Sequence, residues 1–232
     1  MLIAGLQKSS LIDYPGKVSC VVFLAGCNFE CPYCHNPELV NLQLCHRPYL
    51  SEKAVCEFLG KRKSLLDGVV ISGGEPTLQN DLFLLCEKIK AMGFLLKLDT
   101  NGSQPKIIKN LIDGGLIDYI AMDIKTDPFR YSPVVPKPSN PECILSSIQL
   151  IMESAVPYEF RSTCVRPIIN EEAIEIITKT IKGAKRYVLQ RFSHRKVLDP
   201  DYFRKVGSGY EEHDLLRLRS IVDPWVQECT IR

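Results

Sequence analysis

Three cysteines fall within eight residues, in the segment Gly26-Cys27-Asn28-Phe29-Glu30-Cys31-Pro32-Tyr33-Cys34-His35-Asn36. The spacing is Cys-x3-Cys-x2-Cys. Three closely spaced thiolates can ligate three irons of a cubane iron–sulfur cluster, and full cysteine ligation would need a fourth. The remaining iron would keep an open position, the arrangement by which metal centres do chemistry rather than hold a fold. Zinc, or three unrelated thiols, is the competing reading. Zinc takes four ligands, and His35, adjacent to Cys34 in the chain, is a poor fourth.

Further segments place polar groups where chemistry gathers. In Ser72-Gly73-Gly74-Glu75-Pro76-Thr77, two glycines follow an apolar run. Without Cβ atoms the backbone there can come close to a ligand. Glu75 could accept a hydrogen bond from an amino group or order its own loop. Asp99-Thr100-Asn101-Gly102 has the composition of an Asx-turn. Met122-Asp123-Ile124-Lys125 reads, by itself, as a strand end with an ion pair. Arg161 lies in a predicted parallel strand, where a charged side chain is rarely buried without a partner. That leaves open a site role and a paired barrel arginine. Gln190 ends the following strand on the same rim, and His194 receives no role.

The elements that must position these residues alternate regularly. Residues 18–24 read as a buried strand after the turn Tyr14-Pro15-Gly16, and a helix follows over about 51–63 with Ser51 as N-cap. Strands over 68–72, 94–99, 118–124, 158–165 and 186–191 then alternate with helices over about 80–92, 105–113, 142–154 and 171–182. Six strands separated by five helices require a parallel sheet, and apolar strand runs suit a sheet covered on both faces. The expected fold is α/β, a partial (β/α)6 parallel barrel forming a single domain over 1–232. Its core spans about 18–191. A C-terminal cap over about 192–232 holds an amphipathic helix near 210–222 and a short strand near 225–230. Function in such folds gathers on loops after the C-terminal strand ends. The cysteine, Gly-Gly-Glu, Asp-Thr-Asn-Gly and Asp-Ile-Lys segments follow four successive strands.

Composition excludes several classes. At 232 residues, with 45% apolar and 24% charged side chains, the chain can bury a core without staples. A net charge of +2 argues against nucleic acid or an anionic membrane as the main partner. No basic start leads into an apolar core, and no apolar run approaches the roughly 18 residues of a membrane span. A cytoplasmic protein is expected. In that reducing compartment, Cys20, Cys45, Cys56, Cys86, Cys143, Cys164 and Cys229 read as small hydrophobes rather than disulfide partners.

The cysteine spacing, with the aromatic Tyr33 before the third cysteine, and the Gly-Gly-Glu-Pro element resemble the radical S-adenosylmethionine superfamily. The Asp-Thr-Asn-Gly and Asp-Ile-Lys elements look like those of its glycyl radical enzyme activases. Residues 5–17, Phe23-Leu24-Ala25-Gly26-Cys27-Asn28 and Cys34-His35-Asn36-Pro37 are similar to anaerobic ribonucleoside-triphosphate reductase activating proteins of the pyruvate formate-lyase activase-like subgroup. Matches at 69–78, 97–102, 121–125 and 187–192 extend the likeness over about four-fifths of the chain.

The resemblance implies a [4Fe-4S] cluster on Cys27, Cys31 and Cys34, with S-adenosyl-L-methionine chelated to the open iron. Reductive cleavage would give a 5′-deoxyadenosyl radical that takes hydrogen from a glycine of a partner glycyl radical enzyme. Tyr33, Gly73, Gly74, Glu75, Asp99, Asn101, Asp123 and Lys125 would contact the cofactor, and Arg161 and Gln190 join them by position. The family also implies an electron donor such as flavodoxin or ferredoxin and, in some members, a monovalent cation. Only 38 residues separate Cys34 from Gly73, too few for a ferredoxin-like insert. A radical enzyme acting on a small molecule or another peptide, or a non-catalytic iron–sulfur protein, remains open.

Overall fold

The computed structural model describes residues 1–42, 48–131, 140–193, 196–206 and 209–232. Cys45 and His194 lie outside the described residues. Strands β1 (Ile3–Ser10), β2 (Ser19–Leu24), β3 (Gly68–Gly73), β4 (Leu95–Thr100), β5 (Tyr119–Asp123), β6 (Tyr158–Cys164), β7 (Tyr187–Arg191) and β8 (Cys229–Ile231) form one sheet in chain order. From β2 to β8 every neighbouring pair is parallel. The first and last strands do not pair, so the barrel is open.

The expected six parallel strands are β2 to β7, and the sheet is wider by one at each edge. β1 was not foreseen. Its sequence, Ile-Ala-Gly-Leu-Gln-Lys-Ser-Ser, is mostly polar or small, and it is held as an antiparallel edge by backbone pairing to β2. β8 begins four residues later than the expected strand near 225–230 and ends one later, because the hydrogen bonds to β7 set its limits.

Each parallel return is made by a helix: α1 (Pro37–Val40) and α2 (Glu52–Lys61), then α3 (Leu82–Ala91), α4 (Pro105–Asp113), α5 (Pro141–Glu153) and α6 (Glu171–Thr180). Local chemistry starts them. Ser51 Oγ accepts from Ala54 N at 3.1 Å, and Asn170 Oδ1 from Ala173 N at 2.8 Å. These caps satisfy amides that the first turn leaves without partners. After β7 come α7 (Pro200–Val206) and α8 (Glu212–Val222).

The strands are not uniform apolar runs. Leu96 and Leu98 of β4, and Phe160 and Cys164 of β6, join the core under the helices. Their alternating neighbours Lys97, Asp99, Glu159 and Arg161 face inward, as the period of two requires. The inner face therefore carries ion pairs over β4 to β6, beside a small apolar cluster of Tyr14, Val21 and Val70 with Phe23, Leu95 and Tyr119. Register then brings the C-terminal ends together: Leu24 opposes Gly73, Thr100 opposes Met122, Asp123 opposes Arg161 and Thr163 opposes Gln190.

Candidate functional site

A cavity of about 280 Å³ opens at these strand ends. Cys27, Cys31 and Cys34 line it with Tyr33, from the loop after β2. Gly73, Gly74 and Glu75 line it after β3, and Asp99 and Asn101 at the end of β4. Asp123, Lys125, Arg161 and Gln190 complete the wall. The structure thus gathers every site residue expected from the sequence around one space.

The glycines have a packing role as well. A Cβ on Gly74 would lie 2.1 Å from Gly26 O, and one on Gly73 would lie 2.2 Å from Leu24 O. Gly73 also has φ +127°, a conformation that L side chains rarely adopt. The absent Cβ atoms let the cysteine loop pack close, and both glycines also line the cavity. Gly74 N donates to Leu24 O and Glu75 N to Gly26 O, both at 2.8 Å.

Glu75 is fully buried and ties two loops together. Oε1 accepts from Thr77 N (3.1 Å), Thr77 Oγ1 (2.5 Å) and Thr100 Oγ1 (2.8 Å), and Oε2 accepts from Asn101 N at 2.6 Å. Burial pushes the carboxyl up, and these donors pull it part of the way back. Of the two roles considered for Glu75, loop ordering is the one its bonds fulfil. Asn101 Nδ2 in turn donates to Asn28 Oδ1 at 3.0 Å, reaching the cysteine loop.

Arg161 proves to be both paired and at the site. Its Nε donates to Asp123 Oδ1 at 2.8 Å, and Nη1 lies 3.5 Å from Asp99 Oδ1. Lys97 Nζ holds Asp99 at 2.5 Å and Lys125 Nζ holds Asp123 at 3.0 Å. Burial pushes Asp123 up, but Arg161 and then Lys125 outweigh it, and the carboxyl sits well below the usual carboxylate range. Burial works against charge on Lys125 and Arg161 as well, and Asp123 keeps both firmly protonated. Lys97, Arg161 and Lys125 thus face Asp99 and Asp123, with the buried carboxyl of Glu75 on the same cavity wall. Among these cations Lys125 favours negative charge on Cys31 and Cys34. Each aspartate is engaged by two cationic side chains.

Sequence reasoning missed Lys97, although a lysine within Leu-Leu-Lys-Leu carries the signal that flagged Arg161. It also missed the segment after β7. Leu198 N donates to Cys34 O at 2.9 Å and Asp199 N to Pro32 O at 3.0 Å, pairing this segment with the cysteine loop. His35 stacks on Phe192 with centroids 5.5 Å apart, and its Nδ1 lies 3.2 Å from Lys196 O. No pattern in residues 192–199 announces that contact.

Among the described residues, no three His, Cys, Asp or Glu side chains converge as a ready-made metal set. Burial raises all three thiols, Cys27 to about 12, and Lys125 pulls each of them back toward the thiolate. The donor set fits a three-cysteine cluster: three sulfurs, no fourth ligand, adjacent cations and an orphaned phenol, Tyr33 Oη.

Comparison with known proteins bears on the same residues. The Radical SAM superfamily profile matches residues 21–181. A Methanocaldococcus jannaschii protein with the provisional name glycyl-radical enzyme activating enzyme is 37% identical over 100% of this chain and 95% of its own. The pyruvate formate-lyase-activating enzyme of Streptococcus mutans is 26% identical over 80% of this chain and 75% of its own. Streptococcus suis SuiB bound to the precursor peptide SuiA shares the fold, with TM-score 0.66 at 16% identity over 91% of this chain. This chain spans about half of SuiB, covering 48% of it.

Proposed function

The chain belongs to the radical SAM superfamily, and from that premise we propose that it is a glycyl radical enzyme activase whose partner is an anaerobic ribonucleoside-triphosphate reductase. It is an enzyme, and its cofactors are a [4Fe-4S] cluster and S-adenosylmethionine. Together they supply reductive carbon–sulfur cleavage and a 5′-deoxyadenosyl radical. In this reading Cys27, Cys31 and Cys34 hold the cluster. Lys125 and Arg161 offer the positive end of the ion-pair network to the cofactor carboxylate. Gly73 and Gly74 let the second loop close on the cysteine loop, and Glu75 locks it there through Thr100 and Asn101. The outward face of the sheet buries its apolar side chains under helices, which keeps these positions fixed against solvent.

The observation that carries the proposal is the convergence of the cysteine, Gly-Gly-Glu, Asp-Thr-Asn-Gly and Asp-Ile-Lys loops on one cavity, in a chain alike over its whole length to a named activase. A non-catalytic cluster protein would have no use for the second, third and fourth of these loops. No helix among the described residues is long and apolar enough to cross a membrane. The test mixes anaerobically reconstituted, reduced protein with S-adenosylmethionine and a purified anaerobic reductase. A glycine-centred paramagnetic resonance doublet, with one 5′-deoxyadenosine per radical, is expected. Brisk cleavage that leaves every glycyl enzyme without a radical and alters a small metabolite instead would overturn the activase reading.

A further inference from the structure

Most polar side chains around the cavity are spent on one another. Asp99, Asp123, Lys125 and Arg161 form one network, and Glu75, Thr100 and Asn101 form another. Thr163 and Gln190 are different. Both line the cavity, they stand opposite each other in the β6–β7 register, and neither side chain has a hydrogen-bond partner among the described residues. Asn36 and Ser72 share that condition, but Asn36 follows the third cysteine and Ser72 opposes Phe23 beside the cysteine loop.

Thr163 lies two residues beyond Arg161 on the same face of β6. That is about 6.6 Å nearer the C-terminal rim. The pair therefore stands outside the ion-pair layer, toward the mouth, where a second molecule would enter after the cofactor. Its chemistry is a hydroxyl beside a carboxamide, both uncharged. A carboxylate or phosphate would call for a cation at this place. A primary carboxamide carries the same donor and acceptor as a peptide group, and a hydroxyl can act as either. Glycine brings no side chain to hold. A glycine loop can be fixed in a cavity only through the peptide groups on either side of the glycine, and each of these loses water on entry.

We infer that Thr163 and Gln190 bind the main chain of the partner's glycine loop, hydrogen-bonding the peptide groups that flank the glycine. The inference rests on the activase reading and adds to it the groups that recognise the protein substrate. Both residues sit on paired strands rather than on a loop, so their polar groups keep a fixed spacing.

The experiment measures binding by fluorescence anisotropy, with cluster-loaded, unreduced, full-length protein and S-adenosylmethionine, so that no cofactor is cleaved. The probe is a labelled synthetic peptide with the glycine loop of an anaerobic reductase. Two further peptides replace the amide on one side or the other of the glycine by an ester, which removes the donor and weakens the acceptor. Thr163→Val and Gln190→Met should each weaken binding of the amide peptide about tenfold, and Thr163→Ser should restore it. Each variant's penalty should shrink on one of the two ester peptides, because the bond it removes is already lost there. Equal affinity in the parent protein and both variants overturns the inference. So does a penalty that is the same on amide and ester peptides. An equal loss of S-adenosylmethionine binding without peptide also overturns it, and would assign the pair to the cofactor. Failure of the activase reading looks different: the parent protein itself would then bind neither the peptide nor the purified reductase, and would form no glycyl radical when reduced.

Discussion

Gly74→Ala is the substitution that best separates loop packing from ligand space. The new Cβ would sit 2.1 Å from Gly26 O, 2.6 Å from Gly26 C and 3.2 Å from Cys27 N. All three are backbone atoms, so no side chain can rotate away. The loops must part by about 1 Å to restore a tolerable contact, and overpacking of this kind costs about 1–3 kcal/mol. The Glu75 N to Gly26 O bond, 2.8 Å long, stretches with them. Leaving that buried pair unmade adds about 1–3 kcal/mol. A total of about 2–6 kcal/mol falls on the residue next to Cys27, and every 1.4 kcal/mol is about tenfold in an equilibrium constant. Anaerobic reconstitution followed by iron and sulfide assay should therefore find cluster occupancy strongly reduced. Cofactor affinity should fall as a consequence. Full iron content with only S-adenosylmethionine binding weakened would refute the argument and restore the simpler view that Gly74 makes room for the cofactor.

Arg161→Met should lower stability toward urea at pH 7 by about 2–4 kcal/mol, less than a fully orphaned pair because Lys97 and Lys125 stay with the two carboxylates. Asp123 is held below its ordinary value, so its contribution is present above about pH 4 and is lost as pH falls through the folded value. The gap between Arg161→Met and the parent protein should accordingly shrink below about pH 4, and a pH-independent gap would sink the ion-pair account. Cofactor cleavage should be indifferent to exchanging potassium for sodium or omitting both, since Lys97, Arg161 and Lys125 already occupy Asp99 and Asp123. A sharp dependence on one of these ions would mean that a cation displaces a side chain. Leu198→Pro removes the amide that donates to Cys34 O and should speed iron loss to a chelator, while the metal-free fold loses no more than about 1–3 kcal/mol. Equal iron-release rates would show that the segment after β7 merely lies over the cysteine loop.

Features that depend on short range are legible in the chain's own order of residues. Cysteine spacing, the glycine pair and the polar strand ends are set within a few residues, and the helix caps at Ser51 and Asn170 follow from side chains beside the amides they satisfy. The alternation of elements was equally legible, because apolar periodicity is a local property and a parallel return leaves little choice of topology. Which neighbours these residues meet is set by long-range packing. Gly74 could be recognised as a close-approach position, but its partner, Gly26 O, is 48 residues away and is set by β2–β3 register. Arg161 meets Asp123 and Asp99 because three strands align their ends, and no pattern within any one strand encodes that alignment. β1 pairs through backbone amides and carbonyls, and so do Leu198 and Asp199 against the cysteine loop, groups that nearly every residue possesses alike. Their partners therefore leave no mark on side-chain identity, and only the folded chain reveals them.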